Sequence, residues 1–204
     1  MLAIIRRAGI LRAFAAVVMT ASLTGCANFY VDNATPEVPV SAYQKPAQPQ
    51  PVQLFFEFQT KGVLNQQASA HLKARLADQV RGSGVFSEVS EGPVAGGASL
   101  SIVLNNVVLT DDAFSKGFAT GLTLGLAGSQ VGDGYICTAT YRAPGATEPI
   151  VKKARHAIYT TMGATAGTPA NGTKAASAEE AVTLMMRQVV SQVLNDVTHD
   201  TAFK

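Results

Sequence analysis

VQLFFEFQTKGVLNQQASAHLKARLADQVR, Val52 to Arg81, is where the fold is decided. Val52 to Phe58 reads as a strand with Leu54, Phe55, Phe56 and Phe58 crowding both faces. Asn65 to Arg81 reads as a helix. Ala68, Leu72, Leu76 and Val80 recur every four residues as one apolar stripe, while Lys73, Arg75, Asp78 and Arg81 fall outside it. Gly82 and Gly84 end the helix, since glycine takes positive φ without steric cost.

Outward from this unit the pattern repeats. Val85 to Val89 predicts a short strand. Leu100, Ile102 and Leu104 alternate with Ser101, Val103 and Asn105 in a longer one that runs to Leu109. Tyr135 to Arg142 and Ile150 to Thr161 predict two more. Ser177 with Glu180 three residues on carries a capping-box signature. Behind it, Val182, Met185, Met186, Val189, Val190, Val193, Leu194 and Val197 form a broad apolar face. Strand, helix, several strands and a final helix predict an α+β two-layer domain over residues 52–204. Its sheet is mostly antiparallel, of about five strands, with both helices on one face.

Upstream lies a different kind of sequence. Met1 to Arg12 carries Arg6, Arg7 and Arg12 and no acid, which holds that end on the cytoplasmic side of a membrane. Ala13 to Leu23 is apolar, too short to span permanently and right for the core of a signal peptide. The run ends Leu23-Thr24-Gly25-Cys26. A branched residue, two small ones and a nucleophilic thiol in that order resemble the lipobox of bacterial lipoproteins. The resemblance implies a signal peptide over 1–25, cleavage before Cys26 and acylation, palmitate included, of that cysteine. Ala27 stands where an Asp would imply retention in the inner membrane, so the resemblance implies the periplasmic face of the outer membrane. Residues 26–51 follow as lipidated cysteine and tether, with Pro36, Pro39, Pro46, Pro49 and Pro51 favouring extended chain. About twenty such residues at ~3.1 Å each would reach some 60 Å from the bilayer.

Composition narrows the function classes. Removing residues 1–25 leaves 179 of the 204 residues, enough for one domain with a core. Without the three leader arginines, thirteen basic residues face fourteen acidic ones, so no basic footprint for nucleic acid exists. An apolar fraction of 47% with little net charge excludes a wholly disordered chain. Strand and helix order on a short lipoprotein is similar to lipopolysaccharide-assembly lipoproteins, ABC-transport auxiliary lipoproteins and the periplasmic part of curli-secretion lipoproteins. That similarity implies an accessory role beside an envelope complex or transporter.

Ala113 to Gly128 is the oddest stretch of the presumed mature chain. Gly117, Gly121 and Gly125 are spaced by four, which on a helix lets another backbone approach closely. Read with period two, Phe118, Leu122, Leu124 and Leu126 share one face instead. Three roles stay open: a buried connection closing the core, a docking or self-association surface built on Gly117, Phe118, Gly121, Leu122 and Gly125, or one strand of an oligomeric membrane barrel.

Catalytic signals are sparse. His71, His156 and His199 lack any metal-ligand spacing, so no metal and no other cofactor is expected. Cys137 alternates with Tyr135, Ala139 and Tyr141 and reads as a small core residue rather than a nucleophile. Asp111 and Asp112 point to opposite faces if extended, and Asp133 between Gly132 and Gly134 reads as a turn. Lys152, Lys153, Arg155 and His156 suit either an acidic partner or headgroup, or a solvated edge strand guarded by charge. The expected function is that of a non-enzymatic adaptor held by outer-membrane lipid through Cys26, with an envelope protein as partner. The alternative is a self-assembling pore or secretion-channel lipoprotein that uses residues 113–128.

Overall fold

The computed structural model describes residues 27–108, 130–162, 168–169 and 171–204. Cys26, the leader and the glycine-rich residues Gly117, Phe118, Gly121, Leu122 and Gly125 lie outside the described residues.

The strands are β1 (Ala27–Asp32), β2 (Pro51–Thr60), β3 (Val63–Leu64), β4 (Glu88–Ser90), β5 (Ala98–Val108), β6 (Gln130–Arg142), β7 (Ile150–Met162) and β8 (Gly172–Ala175). The helices are α1 (Gln66–Gly82) and α2 (Ala178–Thr198). All eight strands form one sheet ordered β3-β2-β5-β6-β7-β1-β8, with β4 also on β2. Pairing is antiparallel except for β2 with β5 and with β4. The α+β class, the antiparallel bias and the two helices agree with the sequence reading, while the strand count among the described residues rises from about five to eight.

Alternation sets the layers. Leu54 and Phe58 of β2, Leu100, Ile102 and Leu104 of β5, and Tyr135, Cys137, Ala139 and Tyr141 of β6 turn one way. They meet Leu72, Leu76 and Val80 of α1 and Met185, Met186, Val189, Val193 and Leu194 of α2 in one buried core. α1 lies over β2, and α2 over β7, β6 and β1. A smaller apolar cluster of Tyr30, Ala157 and Tyr159, with Val107 and Ile136 beside it, is separate from that core.

Both helices start as their sequences dictate. Asn65 Oδ1 accepts the Ala68 N–H at 3.0 Å, and Ser177 Oγ accepts that of Glu180 at 3.1 Å. The Glu180 carboxylate reaches back to the N–H of Ala176, one residue before the cap position. Thr60 pairs with Val63 across the two-residue turn Lys61-Gly62, whose φ values of 54° and 79° are those of a tight hairpin.

Two expectations are corrected and a third holds in part. Residues 27–51 are not a free extended spacer. Ala27 to Asp32 is a strand paired on both sides, with Val31 and Asp32 fully buried. The proline-bearing stretch after it lies across α2. The Val38 N–H donates to Ser191 Oγ at 2.8 Å, Gln192 Nε2 donates to the Pro36 carbonyl at 2.7 Å, and Arg187 pairs with Glu37 at 2.7 Å. Proline removes donors and fixes φ, but leaves carbonyls and neighbouring residues free to bond the helix. Asp133 is a β6 strand residue paired with Val108 and Ile158, because β6 starts five residues before Tyr135. β7 is an edge over part of its length: Ile150 to Ala157, which carries Lys152, Lys153 and Arg155, pairs with β6 alone, and Ile158 to Thr161 pairs with both β6 and β1.

Candidate anchor junction and docking surfaces

Ala27 opens β1 opposite Met162, the last residue of β7. Cys26 therefore adjoins the sheet directly, with no spacer between the sequence-predicted acylation site and the first strand pair. The flanks of the glycine-rich segment return to the same end of the sheet. Gln130 pairs with Thr161, which pairs on its other side with Asn28, while Val108 pairs with Asp133.

The basic cluster read at 152–156 divides by alternation. Lys152 is engaged by Asp200 at 2.7 Å, and that hydrogen bond holds the Asp200 carboxyl below its usual range. His156 is fully buried: its Nδ1 accepts the Ala157 N–H at 2.9 Å, and Nε2 meets Gln188 Oε1 at 2.8 Å. Desolvation lowers its pKa, so the ring is neutral. Lys153 is exposed. Cys137 has no exposed surface, and burial pushes its thiol up to about 12, which removes the thiolate that nucleophilic attack requires.

His71 stands at the open side of the helix layer. Its Nε2 lies 3.2 Å from Glu179 Oε1, and Arg75 reaches the same oxygen at 2.9 Å. His71 and Glu179 rim an apolar cavity of about 320 Å³ between the N-terminal halves of α1 and α2, floored by Phe58, Leu72 and Val182. A second groove of about 400 Å³ follows the outer edge of β2, between α1 and the chain after β4. The sequence reading did not locate either surface. The Lys61-Gly62 turn was the available signal for the second, because it creates β3 and so brackets that edge.

Asp32 forms a buried polar junction. Its carboxylate accepts from the Tyr159 hydroxyl and the Ala34 N–H, with the Asn171 amide 3.5 Å away. That arrangement joins β1, β7 and the chain just before β8, and burial together with the Asp32 carboxylate holds the Tyr159 hydroxyl protonated far above the ordinary tyrosine range. Among the described residues, no three His, Cys, Asp or Glu side chains gather as a metal site, and no helix is long and apolar enough to cross a membrane.

No protein-family model matches the sequence, and no curated protein does. Among solved structures the chain is similar to a PelC dodecamer from Paraburkholderia phytofirmans. Identity there is 11%, coverage is 84% of this chain and 98% of that one, and the TM-score is 0.36. It is also similar to rare lipoprotein B from Shewanella oneidensis, at 11% identity, with 72% of this chain and 87% of that one covered and a TM-score of 0.28. Likenesses of this size leave the fold description resting on strand register and helix packing.

Proposed function

We propose that the chain is a lipid-anchored envelope protein, acylated at Cys26 and held at the periplasmic face of the outer membrane. Its α+β domain acts without catalysis as an adaptor or accessory subunit of an envelope complex or transporter. One observation carries this reading: the quartet Leu23-Thr24-Gly25-Cys26 abuts the first strand of a folded domain. Three acyl chains at about 0.8 kcal/mol per buried methylene make such an anchor effectively permanent. The sealed Cys137 and the buried His156 support a packing role for both side chains rather than a chemical one.

Cys26→Ala tests the anchor. The variant is expected to lose palmitate labelling and to leave the membrane fraction. Undiminished labelling would remove the claim.

A self-assembling pore or channel that uses residues 113–128 is the second reading. It is favoured by the return of Val108 and Gln130 to the end of the sheet where Cys26 attaches. Light scattering on detergent-extracted protein separates the two. The adaptor reading expects a monomer with and without Ala113 to Gly128, whereas a large ring that collapses on deletion favours the pore.

A further inference from the structure

β2 has two edges, and one is only partly used. On its inner edge it pairs with β5 from Val52 to Thr60. On the outer edge, β4 accompanies Pro51 to Gln53, and β3 accompanies Gln59 and Thr60. Between them, Leu54 to Phe58 has no strand partner among the described residues. The backbone there is oriented by what happens at Phe58. Its N–H donates to Ser69 Oγ at 2.8 Å, and its carbonyl accepts the Asn65 N–H at 2.8 Å, both on the outer edge. Strand geometry repeats every two residues, so the N–H and carbonyl of Phe56 face the same edge. There they open into the groove of about 400 Å³.

An unpaired donor and acceptor on a strand edge are a template for another extended chain. Here the template is bracketed, since strands already pair with β2 on either side of the gap. The span from Gln53 to Gln59 leaves room for a short strand and no more. Phe55 and Leu64, each 47% exposed, lie on the same face of the sheet and line the groove at its two ends. Glu57 and Glu91 outnumber Lys73 on the rim, and Lys73 is itself paired with Glu91 at 2.8 Å.

We infer that the outer edge of β2 at Phe56 is a docking site for an extended polypeptide segment of a partner protein, added as a strand between β3 and β4. The segment spans about three residues at ~3.3 Å each. It bonds the Phe56 N–H and carbonyl, sets a large apolar side chain between Phe55 and Leu64, and carries a basic residue toward Glu57. This rests on the adaptor reading for the existence of a partner, and it is independent of the lipid anchor.

The test selects a displayed library of random nonapeptides on the purified full chain and, in parallel, on its Cys26→Ala variant. The selected peptides are then titrated while amide hydrogen exchange is followed. Sequences that place a large apolar residue close to a basic one are expected. They should slow exchange at Phe56 by about tenfold or more, as a ladder hydrogen bond forms. Ala70→Trp, at an exposed helix position lining the groove, should weaken binding about tenfold. Val151→Trp, on β7, should leave it unchanged. Retained binding in Ala70→Trp, protection elsewhere than Phe56, or a library that yields no binder would overturn the site. So would Phe56 protection that rises with protein concentration alone, since the occupant would then be a second copy. Because the Cys26→Ala variant is expected to bind equally, failure of the anchor and failure of the dock give different results.

Discussion

Asp32 and His156 are two polar residues placed where water does not reach, and their energetics differ. Asp32 accepts from Tyr159 of β7 and from the Ala34 N–H just after β1, so removing the carboxylate leaves the buried Tyr159 hydroxyl without its partner. Asp32→Ala is expected to cost about 2–3 kcal/mol, read as a lower urea midpoint at unchanged slope. An unchanged midpoint would mean that Asp32 does not hold β1 to β7. His156 makes stability depend on pH. Its folded pKa lies below the usual 6.5, so between those two values the unfolded chain binds more protons. Its contribution is present above about pH 6.5 and is lost as pH falls toward the folded value. His156→Gln should therefore flatten the fall in stability that sets in below about pH 6.5. A profile as steep as that of the unsubstituted protein would place the acid sensitivity elsewhere.

At the scale of elements, β1 and the stretch after it make the N-terminal segment part of the domain. A chain starting at Val52 loses Tyr30, Val31 and Tyr43, each buried, along with the bonds to Ser191 and Thr198. Burying such side chains contributes about 1.5–3 kcal/mol each, so the truncation removes roughly 5 kcal/mol or more. That is a large part of a typical domain's stability, and loss of a cooperative thermal transition is expected. A truncated chain melting at the original temperature would restore the spacer. The helices were legible in the sequence because their stripes and caps are local: Leu72, Leu76 and Val80 for α1, Ser177 and Glu180 for α2. The β5-β6-β7 meander was legible from alternation. β1 was hidden because Phe29-Tyr30-Val31 is short and its neighbourhood is dominated by proline, which reports on local dihedrals and says nothing about long-range pairing. β3 and β8 are too short to show periodicity, and the parallel pairing of β2 with β5 depends on a crossover that no local pattern encodes. For the edge groove the Lys61-Gly62 turn was the one local signal, and the rest was illegible because the groove exists only once β3 and β4 have both joined β2.

For the whole molecule, direct joining of Cys26 to β1 changes what an anchor would do. A 60 Å leash would let the domain search a wide volume, whereas a domain fixed at its first strand stays at the bilayer surface in a restricted orientation. Val151 pairs with Thr140 toward the other end of β7, eleven residues from Met162, or about 36 Å along an extended strand. Met162, 57% exposed and opposite Ala27, would lie at the lipid headgroups. The most direct measurement places a fluorophore at Met162→Cys or at Val151→Cys in full-length protein reconstituted into vesicles with quencher-bearing headgroups. The buried Cys137 thiol stays unlabelled. Strong quenching at position 162 with little at 151 is the predicted result; equal and weak quenching at both would contradict an anchor joined directly to the sheet.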